Sequence, residues 1–431
     1  MSTNQNNTIS LPTAILMTMN IMIGSSILAM SHYTAAISGS ISFMTWALAG
    51  LVFLPTVIGV CQIAQLVNAE NGLFSYTEKV FGRFAGYMIG FTTLVGYLFV
   101  VTTVISVFRE AIMRIFPAFA IASSPFYFSL LFVGIVYLLN ILSVKVIAAI
   151  QDPLTIFKLS PIILAIVFLP FAYDPSFSFS LAGLPALPST LSFSLFGFFG
   201  FEFATNITRH LQNKNDGSRI MLIAFWLTAA LYMLFHFSMF HIMGLENFVN
   251  FSAVRYAMFL PLPWPAVKLA LASCVEIIAA IAIFSTANGV TFGNTSLMHS
   301  MSDAGYLQGK SWFSETNRFG RPWVTVLIYC ALVVLFGTFV TEIKTLSGIS
   351  VSAIFITYLA TMISLAVLQH RNGASFGKQA FAVFATITTS VVFAYNFLGV
   401  GATLTGCFIA HAPIAVGLLV GYLLYRPEHQ F

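Results

Sequence analysis

Long apolar stretches separated by short polar connectors dominate this chain. A membrane-spanning helix needs about 20 apolar residues. Stretches of that order lie near 11–36, 40–66, 84–108, 126–147, 151–171, 190–209, 219–243, 265–297, 322–341, 345–369, 379–398 and 401–425. The pattern predicts an all-α integral membrane protein with twelve transmembrane helices. Pro265 and Pro322 fall at first-turn positions, where a missing N–H costs little. Residues 298–321 form the most polar connector, expected on the cytoplasmic face. The expected layout is a tail over 1–10, one transmembrane unit over 11–425 and a tail over 426–431.

Composition removes the soluble alternative. Of 431 residues, 58% are hydrophobic and 7% charged, against about 25% charged in soluble domains. Lipid must therefore replace water over most of the surface. The net charge of +5 comes from scattered single residues, with no basic tract to hold nucleic acid. Cys61, Cys274, Cys330 and Cys407 sit in apolar stretches, without disulfide or zinc spacing. The start MSTNQNNTIS lacks the basic region of a cleaved signal, so the first helix is expected to stay.

Lys and Arg placement sets the expected orientation. With the N-terminus inside, the inner side holds Lys79, Arg83, Lys145, Arg209, Lys214, Arg219, Lys310, Arg318, Arg321, Arg371, Lys378 and Arg426. The outer side then holds Arg109, Arg114, Arg255, Lys268 and Lys344. This bias predicts cytoplasmic termini in a cell membrane, with a bacterial inner membrane as the expected location.

Two stretches carry glycine near mid-membrane: NIMIGSSIL at 20–28 and SLFGFFGFEFA at 194–204. Glycine weakens a helix by up to about 1 kcal/mol, though small residues also let helices pack closely. Gly82, Gly86 and Gly90, and likewise Gly417 and Gly421, are read as such packing positions. The informative point is that the glycine-bearing stretches are the first and the sixth. They are corresponding members of two five-helix halves, the sequence pointer to an inverted-repeat transporter site. Unwinding a helix in hydrocarbon leaves N–H and C=O groups unsatisfied. A zwitterionic amino acid satisfies both kinds, its carboxylate at N–H groups opening a half-helix and its ammonium at carbonyls closing one. Gly24, Ser25 and Ser26 are thus candidates for the carboxylate, and carbonyls near Met22, Ile23, Phe196 and Phe199 for the ammonium. Gly200 belongs to the second break.

These stretches together resemble the amino acid–polyamine–organocation (APC) superfamily of permeases. NIMIGSSIL resembles its first-helix break and FGFFGFEFA its sixth-helix pattern ending in Gly-Phe-Glu. QDPLTIFKLSPIILAI resembles its fifth helix, lysine included. NAENGLFSYTEKVFGRFAGYMIGF resembles its second-to-third connection, and SMSDAGYLQGKSWFSETNRFGRPWVTVLI its segment after helix eight. The resemblance covers about residues 11–425. It implies a five-plus-five inverted repeat, the LeuT-like arrangement, with discontinuous helices one and six and alternating access around them. Repeat one covers about 11–171, repeat two about 190–369, and helices eleven and twelve about 379–425. There are departures. Ser26 replaces a usual glycine, and Ser296 stands about where the family often has an arginine. The acidic residue common after helix six is missing. Val290 stands where arginine exchangers carry a stacking tryptophan.

Lys158 is the sharpest single signal. A lysine within a span costs about 2.5–3.5 kcal/mol on insertion scales. The plainer reading is a side chain snorkelling to the interface. In proton-coupled relatives, however, the matching lysine takes the place of a sodium ion, and a lysine out of water binds its proton less firmly. Ser285 and Thr286 of helix eight are expected beside it, as parts of a proton-coupling site. Glu202 is either a carboxylate beside the substrate or a structural hydrogen-bonding group within the break. Phe196 is a candidate gate. His236 and His241 are five apart, outside the three- or four-residue spacing of helical metal ligands. No catalytic motif or phosphate-binding loop is present, and no metal or cofactor is expected. The expected partners are a small amino acid, a proton and the lipid bilayer, without nucleic acid. The leading expectation is proton-coupled uptake of a zwitterionic amino acid. An exchanger, an organocation or polyamine permease, and a non-transporting amino acid sensor stand as alternatives.

Overall fold

In the computed structural model of the protein, residues 10–24, 26–67, 72–116, 118–142, 144–175, 177–204, 216–308, 310–401 and 403–426 are described. The fold is helical throughout. Among the described residues β pairing is confined to one antiparallel bridge, Leu307 to Tyr425.

The first apolar stretch is interrupted. Helix α1 (Leu11–Met22) stops, a π-helical turn runs over Ser26–Met30, and α2 (Ser31–Ser38) continues. Ser10 caps α1, its hydroxyl accepting from the Thr13 N–H. Helix α3 (Met44–Leu66) follows, then the short α4 (Phe74–Phe81) and the long α5 (Arg83–Ile115). Helices α6 (Pro125–Asn140) and α7 (Val144–Ala172) complete the first half. The sixth stretch starts as α8 (Leu191–Phe196), breaks, and resumes as a 3₁₀ turn over Phe201–Phe203. Then come α9 (Gly217–Phe251), α10 (Pro265–Asp303), the single turn α11 (Lys310–Phe313) and α12 (Trp323–Phe339). The chain ends with α13 (Ile343–Arg371), α14 (Phe376–Gly399) and α15 (Leu404–Leu424).

Seven of these, α3, α5, α9, α10, α13, α14 and α15, are each long and apolar enough to cross a membrane. The other stretches read as spans fall on α1 with α2, α6, α7, α8 and α12; α6, α8 and α12 are shorter, α1 with α2 is interrupted, and α7 runs 29 residues. Most boundaries agree with the apolar pattern to a few residues, and four do not. The third helix, α5, runs past the expected end at 108 to Ile115. Residues 144–147, read with the fourth stretch, begin α7 instead. The eighth helix runs on through the polar residues to Asp303. The seventh is kinked at Gly244 (φ 72°), next to the expected end at 243, and helix resumes beyond it to Phe251.

Lipid tails are as apolar as leucine, so close backbone approach holds such a bundle together. A side chain at Gly417 would come within 2.6 Å of Val95, and one at Gly421 within 2.7 Å of Phe91, so these glycines let α15 lie against α5. A side chain at Gly90 would come 3.0 Å from the Met301 side chain. Gly82 is different from the expectation: nothing lies near its missing side chain, and its φ of 88° makes it the hinge between α4 and α5.

The end of the bundle carrying residues 304–322 is tied down by polar contacts. The Tyr306 hydroxyl donates to Glu78, and Arg83 lies over the Tyr306 ring at 4.3 Å. Gln308 N–H donates to the Leu424 carbonyl at 2.7 Å, and Arg426 N–H to Tyr306 at 2.8 Å. Asn317 and Arg321 donate to the carbonyls of Ile141 (2.7 Å) and Asn140 (3.0 Å), closing the C-terminal end of α6.

Candidate functional site

The first break is an inverse γ-turn. Ile23 has φ −76° and ψ 83°, and the Gly24 N–H donates to the Met22 carbonyl at 2.9 Å. Met22 is further capped from α9, where the Tyr232 hydroxyl donates at 2.8 Å. The Met22 carbonyl expected to be bare therefore has both lone pairs occupied. A side chain on Gly24 would lie 3.0 Å from Thr286 Cγ2 and 3.1 Å from Thr286 Oγ1, so the turn is pressed against α10. Ser26 opens the π-helical turn, a feature frequent at functional sites. Its hydroxyl is buried beside that of Tyr232. Ser25 lies outside the described residues.

The second break is held differently. Gly200 has φ 102°, the left-handed region that a side chain disfavours. A side chain there would also come 2.5 Å from Ile21 Cγ2, so the two breaks touch at this point. They touch again at Gly197, whose missing side chain would lie 2.9 Å from Ser26 Oγ. The Gly200 N–H donates to Glu202 Oε2 at 3.1 Å, and the Tyr358 hydroxyl from α13 donates to the same oxygen at 3.0 Å. The Tyr97 hydroxyl from α5 donates to Glu202 Oε1. Tyr329 from α12 in turn donates to the Tyr97 carbonyl at 3.0 Å. Glu202 thus joins its own break to two other helices, the arrangement of a structural hydrogen-bonding group.

The breaks enclose a small cavity of about 20 Å³, partly open to solvent. It is lined by Ile21, Met22, Gly24, Ser26, Tyr97, Val100, Phe196, Phe199, Gly200, Thr286 and Val290. Seven of the residues singled out from the sequence as site residues meet here: Met22, Gly24, Ser26, Phe196, Phe199, Gly200 and Thr286. Among the described residues the lining contains no charged side chain. Ile23 and Glu202 are buried beside it without lining it. Lys158 is buried in α7, 2% exposed, and stands apart from the lining. Ser285 is buried on α10, which packs against α7. The two adjacent hydroxyls of α10 are therefore split, with only Thr286 facing the cavity.

Three tyrosines escaped the sequence reading: Tyr97, Tyr232 and Tyr358. Tyr232 matters most, because its hydroxyl lies 2.8 Å from the Met22 carbonyl and 3.1 Å from that of Gly197, one from each break. It packs edge-on against Trp46 at 4.8 Å, and the Trp46 indole N–H donates to His236 Nδ1 at 2.9 Å. The available signal was a phenol inside each apolar run, since a buried tyrosine hydroxyl needs a partner.

The remaining polar residues have local roles. His236 also meets Ser42 at 2.9 Å, and among the described residues no cluster suited to a metal ion forms. Arg255 pairs with Glu276 at 2.7 Å. Glu110 accepts from the Tyr33 hydroxyl. Ser296, where an arginine was expected by resemblance, is reached by a guanidinium from elsewhere in the chain, Arg321 Nη1, at 3.3 Å. Arg321 also lies over the Phe292 ring at 4.1 Å. Burial pushes its guanidinium down to about 10.

The amino acid permease family model matches residues 9–420. The chain is 24% identical over 387 residues to the aspartate-proton symporter of Bacillus subtilis (strain 168), covering 85% of this chain and 74% of that protein. It is 22% identical over 415 residues to the serine/threonine exchanger SteT of the same organism, covering 94% of this chain and 93% of that one. The chain belongs to the amino acid permease family, within the amino acid–polyamine–organocation superfamily, and is a multi-pass membrane transporter rather than an enzyme.

Proposed function

We propose that the protein is a secondary active transporter that takes up a zwitterionic amino acid with a neutral side chain, driven by protons. One observation carries this reading: the two helix breaks share a cavity with no charged lining residue among the described residues. A zwitterion brings its own paired charges. A charged side chain buried there would lack a counter-charge and cost several kcal/mol or more. Serine and threonine, named for one relative, fit such a lining, whereas aspartate, named for the other, does not.

In this reading the chain crosses a bacterial inner membrane twelve times as a five-plus-five inverted repeat, with both termini cytoplasmic. The substrate carboxylate takes the Ser26 hydroxyl and the amides of the following turn. The ammonium takes carbonyls of Ile23, Phe196 and Phe199. Phe196 and Phe199, with ring centroids 6.0 Å apart, close over the bound substrate. Lys158 exchanges the coupling proton. Its burial in α7, beside the helix that carries Thr286 into the cavity, supports that role.

Uptake of labelled neutral amino acids into proteoliposomes, with and without an imposed pH gradient, tests the reading. Concentrative uptake that needs the gradient is expected. Uptake only into liposomes preloaded with amino acid would assign an exchanger instead, and binding without flux a sensor. Lys158→Ala is expected to abolish gradient-driven accumulation while sparing binding. Full gradient-driven uptake by that variant would remove Lys158 from the mechanism.

A further inference from the structure

Thr286 lies on the cavity side of α10, away from the role expected for it beside Lys158. Its Oγ1 donates to the Ala282 carbonyl at 2.9 Å. A threonine hydroxyl has one proton and two lone pairs. With the proton spent on its own helix, Oγ1 can only accept from a ligand. It stands 3.1 Å from the position of a side-chain carbon on Gly24, against the C-terminal end of α1. That end carries the negative pole of the helix dipole. An acceptor at a negative helix end suits a cation. Ser26 is the mirror case, its hydroxyl at the start of the next helical turn rather than at the end of one.

Resting on the transport reading above, we infer that Thr286 is a substrate-binding residue whose hydroxyl accepts a hydrogen bond from the substrate ammonium, so that it belongs to the binding site rather than to the proton-coupling site. The Met22 carbonyl, with Gly24 N–H and the Tyr232 hydroxyl already on it, is unavailable for the same task in this conformation. Thr286 supplies the acceptor that Met22 cannot.

The test uses the full-length chain in proteoliposomes with labelled L-serine and N-methyl-L-serine as probes. Loss of a hydrogen bond to a charged group is worth roughly tenfold or more in affinity. Thr286→Val keeps the shape and removes the acceptor, so a rise of about tenfold in KM for serine is expected, with the fold stimulation by a pH gradient unchanged. Thr286→Ser restores the hydroxyl and is expected to restore KM. Preference for serine over its N-methyl derivative, which has one N–H fewer, should narrow in the valine variant. Thr286→Ala, which removes bulk facing Gly24, reports the same KM change should the valine variant fold poorly. Unchanged KM in both variants lacking the hydroxyl would overturn the inference while leaving transport intact. So would lost gradient stimulation at unchanged KM, which would return Thr286 to the coupling site. Wild-type protein that moves no neutral amino acid would sink the transport reading itself.

Discussion

The two breaks solve one problem in different ways. In the sixth stretch, the chain closes its own gap: Gly200 takes a left-handed turn, and Glu202, two residues on, accepts its N–H. Two tyrosines from other helices fasten the same carboxylate. In the first stretch the gap is closed by a backbone γ-turn and one borrowed hydroxyl, Tyr232 of α9, which reaches the Met22 carbonyl and lies beside Ser26. A break fastened through a carboxylate by three donors is a frame, and a closure resting on one hydroxyl can be exchanged for a ligand. The comparison assigns the sixth-stretch break to hold shape and the first to adapt.

The largest effect is expected at the frame. Gly200→Ala adds a left-handed penalty of ~1–2 kcal/mol to an overlap with Ile21. Little monodisperse protein should survive detergent extraction, as size-exclusion chromatography would show. Wild-type yield and melting would mean that the frame tolerates distortion. Glu202→Gln comes next. A glutamine offers one oxygen to the three donors, leaving at least one short of an acceptor at a cost of about 2 kcal/mol. Folded protein with uptake reduced at least tenfold is expected, and uptake at the wild-type level would make the carboxylate dispensable. The smallest effect should come from Tyr232→Phe, which removes one hydroxyl worth about 1 kcal/mol. A few-fold change in KM with a small drop in melting temperature is expected. A melting loss as large as that of Gly200→Ala would show the first break to be as rigid as the second.

Much of this was legible in the chain. Runs of about 20 apolar residues forecast helices because hydrocarbon allows little else. The glycines at 24, 197 and 200 marked both breaks. What could not be read was which distant group would close each gap. Tyr97 and Tyr358 lie 105 and 156 residues from Glu202, and Tyr232 lies 210 from Met22. Nothing local sets those distances. Neighbouring hydroxyls such as Ser285 and Thr286 looked equivalent until helix rotation separated them. Gly82 looked like a packing residue because its spacing from Gly86 and Gly90 fitted one, while its backbone angle depends on where α4 must turn.

The uncharged lining of the cavity has an electrical consequence. A zwitterion passing through such a chamber carries no net charge. Under the proposed coupling of a zwitterion to protons, any current recorded across the bilayer during turnover counts coupling ions alone, so the ratio of current to substrate flux reads the stoichiometry directly.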